Sequence, residues 1–290
     1  MTVEANHKQA GRGIARVLMN IGRRRRPTTE VYGQPGAGRS SLISFATAFV
    51  LLLVWWLVTN AELVKPLFLP PPEMVFDKFV EVSSEGFNNA TLFEHALQSI
   101  MRVFAAFALA CVTAIPIGIG MGVNKLMRGL FDPPIEFYRP IPPLAYLPLI
   151  IIWFGIGETS KILLIYLGIF APLALSARAG VRSASIEQIH VAYSFGASRW
   201  QVLKHVVFKA ALPEILTGMR IAIGFGWTVL VAAEMVAATS GLGYMVLSAS
   251  EFLNTSVVIL GIIVIGFLAY MFDMIMRFIE GKLVPWKGRA

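Results

Sequence analysis

Six stretches of this 290-residue chain carry no Asp, Glu, Lys or Arg: Leu42–Asn60, Val103–Asn124, Pro140–Gly157, Ile162–Ala177, Ile221–Ala233 continuing past Glu234 to Ser250, and Phe252–Phe272. A helix that crosses a bilayer needs about 20 mostly apolar residues, and these runs reach or approach that length. With 56% hydrophobic and 14% charged residues, the chain is too apolar for a soluble domain of its size. The patterning therefore predicts an all-α polytopic membrane protein with six transmembrane helices.

The net charge of +8 is distributed by loop. Eight basic residues fall in the first 40 positions, Arg23–Arg26 among them. The loop from Asn60 to Glu94 carries Glu62, Glu73, Asp77, Glu81, Glu85 and Glu94 against Lys65 and Lys78. Lys125, Arg128 and Arg139 follow, then Glu158 and Lys161, then Arg178, Arg182, Arg199, Lys204 and Lys209, and finally Lys282, Lys287 and Arg289. Basic loops alternate with acidic or neutral ones, the positive-inside pattern, which places both termini in the cytoplasm. Once these loops are assigned, no basic aromatic surface remains for nucleic acid. Cys111 is the only cysteine, so an intrachain disulfide or thiolate cluster is ruled out. The basic start does not read as a cleavable signal peptide, because the first apolar run begins late and is too long.

Residues 1–40 read as a flexible basic cytoplasmic segment, and 41–285 as the transmembrane domain. Trp55 and Trp56 suit an interfacial depth. FLPPP (Phe68–Pro72) is an extended turn, Glu73–Val82 a short amphipathic helix, and Thr91 a cap for the second span. In Tyr138–Lys161, prolines 140, 142, 143 and 148 predict either a broken helix or one that starts after Pro143. Ser160 is the expected cap of the next helix. No internal repeat is visible.

The segment 185–209 is polar and amphipathic between two apolar spans. Ser185-Ile-Glu-Gln188 and Ser198-Arg-Trp-Gln201 both fit the capping box, with Gly196 between them. The text encodes helix, sharp turn, helix, with Tyr193 and Phe195 near the turn and Pro213 starting or kinking the next span. A capped hairpin of this kind suits insertion into a groove of a soluble partner.

The turn Gly196-Ala197-Ser198, with Pro213 seventeen residues beyond Gly196, resembles the cytoplasmic signature loop of ATP-binding-cassette (ABC) importer permeases. The family pattern begins Glu-Ala-Ala; His190, Val191 and Ala192 stand there, so only the last alanine matches. LFLPPP, YRPIPPLAYLPLIIIWFGIGETSKILLIYL, ALPEILTGMRI and LVAAEM look like the branch of taurine, aliphatic-sulfonate and nitrate permeases, from about Trp55 to Trp286. The resemblance implies type I importer architecture in the bacterial inner membrane. It implies a partner ATPase in two copies that holds ATP and magnesium, a second permease copy, and a periplasmic binding protein that delivers taurine or a related sulfonate. His190, Ala192, Tyr193, Gly196, Ala197, Ser198, Arg199 and Pro213 are then the ATPase-coupling residues.

Gly33–Ser40 has the spacing of a phosphate-binding loop, with Arg39 for lysine. No strand precedes it and a membrane span follows, so this chain is expected to bind no nucleotide or other cofactor. Glu234 lies within an apolar span and is a candidate pathway residue or a hydrogen-bonding one. Tyr146, Thr228 and Thr239 are further pathway candidates, although Ser and Thr in such helices often bond their own backbone. Arg102 and Arg139 read as snorkelling side chains. His7, His95, His190 and His205 form no ligand pair, and no catalytic pair is evident, so neither metal binding nor enzymatic chemistry is expected. A secondary carrier is the rival reading, but it leaves the hairpin without a task.

Overall fold

A computed structural model describes residues 41–285. The Gly33–Ser40 loop therefore lies outside the described residues. Among those described, the secondary structure is helical apart from one isolated bridge, Phe87 to Ala90. The helices are α1 (Ser41–Asn60), α2 (Pro72–Ser84), α3 (Leu92–Val123), α4 (Lys125–Tyr138), α5 (Pro143–Phe154), α6 (Glu158–Val181), α7 (Ile186–Ser194), α8 (Arg199–Val202), α9 (Phe208–Ala237), α10 (Leu242–Glu251) and α11 (Thr255–Leu283). Five are long and apolar enough to cross a membrane, or six if α4 and α5 count as one bent span.

Two apolar runs fold differently from a plain span. Prolines 140, 142 and 143 remove backbone donors, and the chain turns by 105° between α4 and α5. Both expectations for this region hold in part: the helix is broken, and its second half starts at Pro143. The run Ile221–Ser250 is not one helix. α9 stops at Ala237, and a separate short helix, α10, begins after Gly241. Ser160 does not cap α6 either. The N-cap is Gly157, and the Ser160 hydroxyl donates back to the Gly155 carbonyl.

Thr91 caps α3 as expected: it accepts from the Glu94 amide at 3.3 Å, and the Glu94 carboxylate accepts from the Thr91 amide at 2.7 Å. Trp55 and Trp56 donate to the Pro70 carbonyl and the Glu73 carboxylate, tying the end of α1 to the start of α2.

From Leu53 onward the helices form one body, whose centre is α3 against α6 and α6 against α9. α3 presents Val103, Ala106, Ala110, Ala114 and Gly118 at helical spacing, all buried. Lipid supplies no hydrophobic drive between helices, so close backbone approach has to come from small residues. At Gly118 a Cβ would stand 2.3 Å from the Ala174 carbonyl oxygen of α6. Large apolar side chains such as Ile152, Trp153, Phe267 and Phe278 remain exposed, as befits surfaces that meet acyl chains.

Candidate functional site

The hairpin of α7 and α8 is built from local signals. Ser185 accepts from the Gln188 amide at 3.2 Å, and Gln188 accepts from the Ser185 amide, closing the box on α7. Ser198 and Gln201 repeat the arrangement on α8. α7 ends with the Gly196 amide donating to Tyr193 and the Ala197 amide to Ala192, the paired bonds of a Schellman turn. Gly196 has φ +79°, where a Cβ is unfavourable, yet nothing lies within 4 Å of where that Cβ would stand. Backbone handedness, not crowding within this chain, demands the glycine. Phe195 is 88% exposed and Trp200 70%, so the tip presents aromatic surface outward. His190 and Arg199 are exposed beside it.

The hairpin is fused to a span. α8 runs through a π turn, Leu203–Val207, into α9 without a break, giving one helix from Arg199 to Ala237. Pro213 lies inside α9 and does not start it. The Ser183 hydroxyl donates to the Ala210 carbonyl at 2.7 Å, fastening the α6–α7 connection to α9.

At the far end of the bundle lies a charge network, buried except at Glu158. The Arg102 guanidinium of α3 is 2% exposed, which overturns the snorkelling expectation. It grips Glu158 of α6 through two bonds of 2.6 and 2.8 Å, and donates to Glu234 of α9 and the Ser240 carbonyl, each at 2.7 Å. Lys161 pairs with Glu158 at 2.7 Å. Two buried cations thus face two carboxylates, Glu234 buried and Glu158 about half exposed, so no buried charge is left unpaired. Glu234 is fully buried; it also accepts from Ser99 and the Gly243 amide.

The same network caps α10. Its first amides have no partner within the helix. The Gly241 amide donates to His95 Nδ1, Leu242 to the Ser99 hydroxyl, and Gly243 to Glu234, at 3.0, 2.9 and 2.8 Å. His95 Nε2 meets the Phe87 carbonyl at 2.9 Å, so the ring holds its proton on Nε2. Gly241 has φ +122°, and a Cβ there would fall 2.4 Å from Glu234 Oε1.

A cavity of about 610 Å³ opens beside the α4–α5 bend. Tyr138, Arg139, Tyr146, Ser176, Phe225 and Thr228 contribute to its lining. A second cavity, also about 610 Å³, lies against α9 and α11 and includes Arg220, Trp227, Thr228 and Asp273.

Residues 114–285 match the family described as "Binding-protein-dependent transport system inner membrane component". The chain belongs to that family. This transport-system component is 54% identical over 253 residues to the taurine transport system permease protein TauC of Escherichia coli K12, covering 87% of this chain and 92% of the relative. It is 35% identical to the putative aliphatic sulfonates transport permease protein SsuC of Bacillus subtilis 168, over 82% and 85% of the two chains. The nitrate import permease protein NrtB of Leptolyngbya laminosa is 30% identical, over 85% and 89%. The fold is that of a chain of the MetNI methionine ABC transporter in inward-facing form, with TM-score 0.60 at 19% identity, covering 66% of this chain and 95% of that one. The protein is thus a multi-pass permease subunit of an ABC importer, and hydrolysis of ATP belongs to a separate subunit.

Within this transport-system component the expected pathway residues separate. Tyr146 and Thr228 line one cavity, with the Thr228 hydroxyl bonded to the Gly224 carbonyl. Glu234 lines neither cavity described above, and Thr239 is exposed in the turn after α9. Ser99 and Glu158 bond Glu234 and Arg102 directly, and Lys161, His95 and Gly241 extend the network through Glu158 and the start of α10; sequence reasoning missed these partnerships. A signal was present: His95, Ser99 and Arg102 stand at i, i+4 and i+7, a polar stripe on an apolar helix.

Proposed function

We propose that this chain is the membrane-spanning subunit of an ATP-driven importer that carries taurine or a related alkanesulfonate into the cytoplasm. The carrying observation is 54% identity to a taurine permease over 87% of the chain. Two copies of the chain line the path, two ATPase subunits bind ATP and magnesium beneath them, and a periplasmic protein delivers the solute. The loop charges support a cytoplasmic hairpin and an outer face at α2 and the Glu158 turn.

In this reading, α7 and α8 seat in the ATPase. Aromatic residues that are exposed on an isolated chain, Phe195 and Trp200 above all, supply the apolar contact. ATP-driven closure shifts the hairpin, and α8 passes that motion directly into α9. The two caps and the Gly196 turn keep the hairpin stiff enough to transmit force. A transported solute needs no bond made or broken, so the chain's task is to switch between two accessible states.

The test is uptake by vesicles that carry the chain with its ATPase and binding protein. Labelled taurine, ethanesulfonate and nitrate are offered with and without ATP. ATP-dependent accumulation of a sulfonate is expected. Accumulation of nitrate alone would move the assignment to the branch represented by the 30% identical relative. Uphill transport without the ATPase would defeat the reading altogether.

A further inference from the structure

The cavity beside the α4–α5 bend has the chemistry of a small-anion site. Arg139 is the one charged residue in its lining; the rest are hydroxyl-bearing or apolar. No carboxylate shares the lining, so nothing there repels an anion. The arginine is held only by a 4.0 Å contact with Glu136, and both side chains are about half exposed. Two other arginines in or near the bundle interior are better occupied. Arg102 is gripped by two carboxylates, and Arg220, in the second cavity, pairs with Asp273 at 3.0 Å and Glu280 at 3.3 Å. Of these three arginines, Arg139 is the one whose fork a solute can take up without dismantling a closed network.

We propose that this cavity is a way-station for the transported anion, with Arg139 as its counter-ion and the Tyr146 hydroxyl as a second donor. The ligand class is a compact sulfonate or similar monoanion. Apolar walls strengthen the single charge contact, while one cation and few donors keep the hold weak enough for release. The inference rests on the importer reading for its place in transport, but not for its chemistry.

Thr228, exposed and in the same lining, is a suitable reporter. In a Cys111→Ser background, Thr228→Cys is labelled in vesicles carrying the chain with its ATPase. The probes are 2-sulfonatoethyl, 2-aminoethyl and methyl methanethiosulfonate. With rates normalised to the neutral methyl reagent, the anionic probe is expected to lose about tenfold against the cationic one on Arg139→Gln, and little on Arg139→Lys. Added ethanesulfonate is expected to slow labelling, and Tyr146→Phe to weaken that protection about threefold. A charge preference unchanged by Arg139→Gln overturns the proposal. So does the absence of ethanesulfonate protection when Arg139 is intact, a result that needs no Arg139 variant to fold. Failure of taurine uptake by vesicles that carry the unsubstituted chain with its ATPase and binding protein would strike the importer reading instead, and leaves the labelling result readable.

Discussion

Arg102 shows how far a single side chain can depart from its textual surroundings. On the sequence it stands just before an apolar run and reads as an interfacial residue. In the fold it is shared by Glu158, Glu234 and the Ser240 carbonyl. Breaking a buried pair by removing one partner costs about 3–5 kcal/mol, because the other charge is stranded. Arg102→Ala is therefore expected to lower the Tm of the purified protein sharply, measured by thermal aggregation in detergent. Glu234→Gln is expected to cost less in the Arg102→Ala background than alone, since it removes the stranded charge. Gly241→Ala tests the same network through the backbone. Its Cβ would collide with the Glu234 carboxylate, so a loss comparable to Arg102→Ala is expected in the same assay. The caps at Thr91, Ser185 and Ser198 were legible because each is settled within four residues. The network was not, because Arg102 is 56 residues from Glu158 and 132 from Glu234, and only packing brings them together.

At the scale of elements, the hairpin and the central helices make opposite demands on glycine. At Gly196 the demand is conformational. Gly196→Val is expected to destabilise the turn by about 1–2 kcal/mol, raising hydrogen exchange at the Gly196 and Ala197 amides. Gly196→Asn, which tolerates the left-handed region, is expected to keep most of that protection. Loss of ATP-coupled uptake in Gly196→Trp with normal membrane insertion would mark a docking role, and unchanged uptake would refute it. At Gly118 the demand is spatial, since α6 backbone lies where a Cβ would go. Gly118→Val is expected to abolish accumulation in the membrane, whereas Gly224→Ala, with open space around it, is expected to accumulate normally by immunoblot. Element existence was readable from apolar runs and prolines. The division of Ile221–Ser250 was not. Its stop at Ala237 depends on a turn whose amides are capped by side chains from α3 and α9, and a local reading cannot see such partners.

For the whole molecule, the alternation of loop charge predicts a cytoplasmic hairpin and an outer α2. Single cysteines in a Cys111→Ser background test this. Glu81→Cys is expected to react with an impermeant maleimide in right-side-out vesicles, and Ser194→Cys only in inverted ones. The reverse pattern would invert the topology. Fold class and membership of the permease family were both readable in the sequence, because hydropathy and the hairpin text are local properties. The cavities were not, since the lining of the first draws together the α4–α5 bend, α6 and α9.

The unbroken helix from Arg199 to Ala237 has a mechanical consequence. Its 39 residues extend about 58 Å, roughly twice the depth of a bilayer's hydrocarbon core. Glu234 anchors one tip to two neighbouring helices, while the other tip carries the exposed side chains of Arg199 and Trp200. Pivoting on that anchor, a sideways push of about 6 Å at Arg199 displaces Arg220 by about 2.4 Å and Thr228 by only about 1 Å. The opening such a push would produce is wedge-shaped, widest at the hairpin end and narrowest at the Glu234 end.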